Sequence, residues 1–252
     1  MFKENPWFGF ALSFLLLIMI GSILLYLPVS HNGRISYIDA LFTSTSAVCV
    51  TGLTVLDTGK DFTRVGQLII LLLIQLGGLG LMTFMVTVTV FMKRKLGLGV
   101  KEIIGEGFAG RLGETRKVLK GVLIYTFSAE IFGFAVLWLC FTLVGVKTAY
   151  FHALFHSVSA FCNAGFSTFS DSLEGFRNQP LVLLTIALLI FLGGIGFING
   201  IQVFEKIFRK RRLTLNSKVA LTVSGVLIAS GWVVIFLGEL PNWKEGIPSL
   251  LV

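Results

Sequence analysis

The chain has 252 residues, of which 55% are hydrophobic and only 13% charged, and its formal net charge is +8. Its mean hydropathy is +0.88. A soluble domain of this size carries about 25% charged residues and cannot hide so much apolar surface, so an ordinary soluble fold is excluded and an all-α integral membrane protein is expected.

In lipid the backbone must satisfy itself, so each long uncharged run reads as a helix, and about 20 residues suffice to cross. The first such run is Trp7–Leu27, with Lys3 and Glu4 before it and Pro28 after it. It is longer than the apolar core of a signal peptide and no small-x-small site follows, so it is read as a retained span. A shorter apolar stretch, Tyr37–Val50, comes next. The second full-length run is Val65–Met92, followed by a basic linker over 93–117. The third is Val118–Val144, followed by a second short stretch, Ala149–Cys162. The fourth is Leu181–Phe204 and the fifth Val219–Leu237, after which come Pro241-Asn242-Trp243 and the end at Val252.

The positive charge follows this alternation. Lys3, Lys93, Arg94, Lys95, Lys101, Arg111, Arg116, Lys117, Lys120, Lys206, Arg209, Lys210, Arg211, Arg212 and Lys218 fall on one side, 15 of the 21 basic residues. Arg34, Lys60, Arg64, Lys147, Arg177 and Lys244 fall on the other. The positive-inside rule puts the N-terminus and both basic loops in the cytoplasm, so the charge is a topology signal that also favours anionic headgroups, not a nucleic-acid surface.

The two short stretches repeat each other. Over positions 40–54, eight of fifteen residues recur 113 places later, including Ala40-Leu41-Phe42, Ser44, Ser46, Ala47, Cys49 and Gly52 against Ala153-Leu154-Phe155, Ser157, Ser159, Ala160, Cys162 and Gly165. Leu76-Gly77-Gly78-Leu79-Gly80 recurs as Leu192-Gly193-Gly194-Ile195-Gly196 at an offset of 116. The unit is span, short helix, loop, span, in parallel orientation about an axis along the membrane normal. Its boundaries are expected at 1–92 and 118–208, with the linker 93–117 between and an incomplete third copy over 209–252. Each short helix is expected to be re-entrant, entering from the outer face and turning back.

A loop follows each short helix: Val50-Thr51-Gly52-Leu53-Thr54 and Asn163-Ala164-Gly165-Phe166-Ser167. Non-helical backbone at membrane depth persists where it lines a wet cavity or is buried in protein, and its carbonyls can replace a cation's hydration water. The competing reading is that Gly52 and Gly165 merely cap the helices. Their recurrence in one topological slot favours the carbonyl reading.

At these loops a resemblance emerges. Thr45-Ser46-Ala47-Val48-Cys49-Val50-Thr51-Gly52-Leu53 and Ser159-Ala160-Phe161-Cys162-Asn163-Ala164-Gly165-Phe166 resemble the first two filter loops of the Trk/Ktr/HKT cation transporters, and the resemblance covers essentially the whole chain. It implies a potassium-channel-like architecture of repeated units around a pore axis. It implies potassium uptake, with sodium open as a second ion, and no covalently bound cofactor. The ion-binding set carried over is Val50, Thr51, Gly52, Leu53, Asn163, Ala164, Gly165 and Phe166. Homodimeric assembly and a cytoplasmic nucleotide-binding regulatory ring are implied as partners. The family has four filter loops and this chain has two, so two more are expected from a continuation past Val252 or from another chain.

Other residues admit blander readings. Cys49 and Cys162 are expected as free packing thiols, and the glycine clusters as close-approach sites between helices. Glu130, the one acid well inside a span, is either functional or structurally bonded. Asp39, Asp57, Asp61 and Asp171 lie on the outer side, where they could concentrate cations. His152 and His156 share a helix face, a weak metal signal. Two alternatives to transport therefore stand: a non-conducting assembly fragment, and a metal-dependent membrane enzyme built on His152, His156 and Glu130.

Overall fold

The computed structural model describes residues 6–95, 112–209 and 213–239. The central part of the expected linker, 96–111, the basic residues Lys3, Lys101, Arg111, Lys210, Arg211, Arg212 and Lys244, and the chain from 240 onward lie outside the described residues. The described residues form helices joined by loops. The helices are α1 (Pro6–Tyr26), α2 (Tyr37–Val48), α3 (Arg64–Lys95), α4 (Leu112–Leu143), α5 (Ala149–Phe161), α6 (Pro180–Gly194), α7 (Phe197–Arg209) and α8 (Leu215–Glu239). Among the described residues, Phe8–Tyr26, Lys120–Leu143 and Leu215–Gly238 are long and apolar enough to cross a membrane. Arg64–Gly80 and Pro180–Gly194 are shorter apolar segments. The α8 window has none of its residues buried, as suits a helix facing an apolar medium.

By contrast, α2 and α5 have only 12 and 13 residues. At 1.5 Å per residue they reach about 18–20 Å, short of a hydrocarbon core of about 30 Å. A capping box starts α2: the Ser36 hydroxyl accepts from the Asp39 N–H at 3.1 Å, and the Asp39 carboxylate accepts from the Ser36 N–H at 3.0 Å.

Equivalent contacts seat both short helices. The Ser44 hydroxyl donates to the Ile18 carbonyl of α1 at 2.8 Å, and the Ser157 hydroxyl donates to the Glu130 carbonyl of α4 at 2.6 Å. A methyl group on Gly21 would strike Ser44 and Leu73; one on Gly133 would strike Ser157 and Leu189. A methyl on Gly77 would strike the Val48 carbonyl, and one on Gly193 the Phe161 carbonyl. These glycines let helix backbones approach the last carbonyls of α2 and α5, as the small-residue reading expects.

Each unit has its own apolar core, one around Leu25, Ala47, Ile70 and Ile74, the other around Leu137, Phe141, Phe161 and Leu189. The first core also takes in Phe155, Val158, Ala164 and Phe166, so the units pack directly against each other. Arg64 at the start of α3 reinforces this contact, donating to the Thr148 hydroxyl at 2.7 Å while its guanidinium lies 4.2 Å from the Phe151 ring centre.

One expectation is corrected. Leu181–Phe204 is not a single helix: α6 ends at Gly194 and α7 begins at Phe197, with Gly196 at φ 78° between them. The Tyr125 hydroxyl donates to the Leu192 carbonyl at 2.9 Å, and the Asn199 side chain donates to the Ile195 carbonyl at 2.8 Å. Both carbonyls are thereby satisfied where the helix is interrupted. At the corresponding places in the first unit, 112 residues earlier for α4 (as the Gly21/Gly133 pair sets it) and 116 earlier for α7, stand Ser13 and Thr83, and α3 runs through Gly80 unbroken. Asn199 and Gln202 then accept from the Ser217 hydroxyl at 2.7 and 2.8 Å, tying α7 to the start of α8.

The packing of Gly77 predicts that Gly77→Ala in the full-length protein costs about 1–3 kcal/mol, because a backbone carbonyl cannot swing away as a side chain can. Thermal unfolding in detergent reads this directly. An unchanged melting temperature would refute the close approach.

Candidate functional site

The helices α2 and α5 end in the same way. The Thr51 N–H bonds the Ser46 carbonyl at 2.9 Å and the Val50 N–H bonds the Ala47 carbonyl at 3.3 Å. In the second unit the Ala164 N–H bonds the Ser159 carbonyl at 2.8 Å and the Asn163 N–H bonds the Ala160 carbonyl at 3.0 Å. This paired closure is the Schellman arrangement, with its left-handed residue at Val50 (φ 56°) and Asn163 (φ 59°). Asparagine tolerates that conformation; a β-branched valine is strained in it by about 1–3 kcal/mol.

The glycines are therefore not the helix caps. Gly52 (φ 75°) and Gly165 (φ 73°) stand two residues further on, at a second left-handed position in each loop. There the two loops meet. A methyl on Gly52 would lie 2.6 Å from the Ala164 carbonyl oxygen and 3.2 Å from the Gly165 Cα, and one on Gly165 would lie 3.3 Å from the Gly52 Cα. Gly52, Ala164 and Gly165 are thus brought together. Thr51, Leu53, Asn163 and Gly165 are exposed, Val50 and Gly52 are half-buried, and Ala164 and Phe166 are buried.

Buried serines brace both loops from behind. Thr51 donates to the Ser46 hydroxyl at 2.9 Å, and Ser159 donates to the Phe166 carbonyl at 2.7 Å. The second loop has a further brace that sequence reasoning missed. His156 Nδ1 lies 2.7 Å from the His152 carbonyl, so that nitrogen carries the proton, and Nε2 accepts from the Ser167 hydroxyl at 2.9 Å. His152 Nδ1 is 2.6 Å from the Thr168 hydroxyl. Phe169 stacks on both imidazoles, at 4.6 and 4.9 Å between ring centres. The four-residue spacing of the histidines was the available signal, and it marks a loop anchor. Glu130 lies on α4, where its backbone carbonyl accepts from the Ser157 hydroxyl and its carboxyl stands beside Gln75. Beside the second loop lies a cavity of about 220 Å³, lined in part by His156, Asn163, Gly165, Ser167 and Ile190.

Three of the outer acids serve their own segments. Asp39 caps α2, and the Asp61 carboxylate accepts from the Asp57 N–H at 2.7 Å. Asp57 accepts from the Gly59 and Lys60 N–H groups at 2.8 and 3.1 Å. Its partial burial works to raise its pKa, but the Ser170 hydroxyl, these two N–H groups and the Lys60 charge outweigh that and hold it below 3.8. A methyl on Gly59 would lie 2.5 Å from the Thr168 carbonyl, so this turn packs against the segment after the second loop. Cys49 is exposed and Cys162 half-buried, both as thiols.

Two predictions follow from this geometry. Asn163→Val should destabilise by about 1–2 kcal/mol while Asn163→Gly is nearly neutral, since only the former forces a branched side chain into the left-handed region; equal melting temperatures for the two would refute the cap. A depressed folded-state pKa makes the Asp57 contribution complete above the unfolded value of about 3.9 and lost as pH falls through the lower folded value. Asp57→Asn should accordingly flatten the acid limb of stability between pH 5 and 3, by about the span of that titration. Superimposable acid melts for both proteins would refute it.

Residues 5–243 match the TrkH family of cation transport proteins. The chain is 40% identical to the Ktr system potassium uptake protein B of Bacillus subtilis over 239 residues, covering 92% of this chain and 52% of that protein. It is 39% identical to the Ktr system potassium uptake protein B of Vibrio alginolyticus, covering 92% and 51%. It is 35% identical to the potassium/sodium uptake protein NtpJ of Enterococcus hirae, covering 91% and 51%. The chain spans about half the length of these relatives. With a family match over nearly its whole length, the chain belongs to the TrkH cation transport protein family.

Proposed function

We propose that this chain forms part of a potassium uptake pathway across the cytoplasmic membrane, with the loops 50–53 and 163–166 contributing backbone oxygens to a selectivity filter. The observation that carries the reading is the meeting of Gly52 with Ala164 and Gly165 at the ends of two short helices of matching geometry. In this reading α2 and α5 are re-entrant pore helices, and 1–92 and 118–208 are successive units around one axis. The 93–117 segment is a cytoplasmic linker, 209–252 opens a third unit, and the N-terminus is cytoplasmic.

The physics is that of a monovalent cation site without a fixed charge. The partial negative charge at the C-terminal ends of α2 and α5 points toward the loops. Carbonyls of Val50, Thr51, Gly52 and Leu53 on one side, and of Asn163, Ala164, Gly165 and Phe166 on the other, supply oxygens in place of hydration water. The Phe166 carbonyl already accepts from Ser159, which orients it and leaves its second lone pair. A side chain at either glycine would intrude on the neighbouring loop. Inward movement down a membrane potential supplies about 2.3 kcal/mol per charge per 100 mV.

The relatives' names support potassium as the ion, and one of them supports sodium as a second. The matching family also underlies the proposal of a homodimer working with a cytoplasmic nucleotide-binding ring.

The test is Gly52→Ser and Gly165→Ser in the full-length protein, assayed by uptake in cells that depend on it for potassium. Each should reduce the preference for potassium over sodium at least about tenfold, equivalent to about 1.4 kcal/mol. Unaltered uptake and preference in both variants would sink the filter assignment.

A further inference from the structure

A second polar cluster lies apart from the loops, where three helices converge. From α3 comes Gln75, from α4 come Thr126 and Glu130, and Cys162 stands at the end of α5. Separate contacts fix the convergence. Ser157 of α5 holds the Glu130 carbonyl at 2.6 Å. A methyl on Gly78, one turn beyond Gln75, would lie 2.8 Å from the Cys162 sulfur. Thr126 precedes Glu130 by four residues, so both look out from one face of α4. The Gln75 amide stands beside the Glu130 carboxyl.

Glu130 is only 6% exposed and Thr126 only 1%. Glu130 Oε1, Thr126 Oγ1 and both polar atoms of the Gln75 amide make no hydrogen bond of good geometry, although the Gln75 amide lies near enough to the Glu130 carboxyl to bond it. Buried polar groups are normally satisfied, and a buried carboxylate needs a compensating charge or a proton. The internal repeat supplies a control. The matched contacts Ser44–Ile18 and Ser157–Glu130 set an offset of 112 between α1 and α4, at which Glu130 corresponds to Ile18 and Thr126 to Phe14; at the offset of 116 Gln75 corresponds to Phe191, all apolar. Helix packing in this architecture therefore does not require polar groups at these places.

The free groups include a carboxylate, an amide oxygen and a hydroxyl, the hard oxygen donors that suit alkali and alkaline-earth cations. A single carboxylate is neutralised by a single positive charge; a divalent ion would leave an excess charge in a low-dielectric interior. We propose that Glu130, Gln75 and Thr126 bind one monovalent cation of sodium size, at a site distinct from the two loops. The ion bridges α3 of the first unit to α4 of the second. Because Cys162 immediately precedes Asn163, its occupancy is set one residue from the second loop.

The experiment is equilibrium binding of radiolabelled sodium to the purified full-length protein in detergent, with choline as the replacement cation, alongside melting temperatures with and without sodium. With potassium in excess to occupy the filter, wild type should still show a saturable sodium site and rise in melting temperature with sodium, which separates this site from the filter reading. Glu130→Gln, of the same shape, should lose both effects. Gln75→Leu and Thr126→Val keep the carboxylate and should weaken sodium binding, so the test stands even where Glu130→Gln fails to fold. Sodium binding that is equal in wild type and all three variants overturns the proposal. So does wild type with no such site, which would leave Glu130 as a protonated acid paired with the Gln75 amide.

Discussion

Two stretches of chain leave helical geometry beside apolar helices, and their peptide groups still need partners. The Schellman closures of α2 and α5 meet this demand for the last turn of each helix, returning the N–H groups of Val50, Thr51, Asn163 and Ala164 to carbonyls one turn back. The contact between Gly52 and the Ala164–Gly165 backbone then holds the two loops face to face. The coordination proposed at the two loops depends on that contact, because a side chain at either place would push the loops apart.

The loops are only as well placed as the helices that present them. Ser44 and Ser157 pin the short helices to α1 and α4, and Gly77 and Gly193 admit the carbonyls of Val48 and Phe161 close against α3 and α6. These contacts use small residues and hydroxyls in an apolar setting, where close packing and satisfied carbonyls do the work that hydrophobic burial does in water. The same pieces recur in both units, which explains why serine and glycine survive at matched offsets while larger side chains vary.

The differences between the units are equally physical. Tyr125 and Asn199 take two carbonyls out of the α6 ladder, and the chain breaks at Gly196, whereas Ser13 and Thr83 stand at the matching places beside an unbroken α3. His152 and His156 anchor only the second loop. Glu130, Thr126 and Gln75 place polarity in slots that are apolar in the other unit. The two units thus differ by a helix break, a histidine brace and a buried polar cluster.

Much of this was legible in the chain itself. Runs without charge must be helical in lipid, so the spans and the two short helices followed from composition and length, and the matched offsets disclosed the repeat. The two loops were located because glycine recurred where apolar helix stopped. What one dimension could not decide was how a given residue would be used. Leu-Gly-Gly-Leu-Gly and Leu-Gly-Gly-Ile-Gly read alike, yet one continues a helix and the other ends it, because the deciding hydroxyl and amide belong to Tyr125, far away in sequence, and to Asn199. Gly52 and Gly165 could have been helix caps; only the folded chain gave that role to Val50 and Asn163 and turned the glycines toward each other. The pattern of apolar and small residues determined which segments enter the membrane, since that is a local transfer free energy. Which carbonyls are bonded, broken or left facing a neighbour was decided by tertiary contacts, since a hydrogen-bond partner or a close approach exists only once distant segments meet.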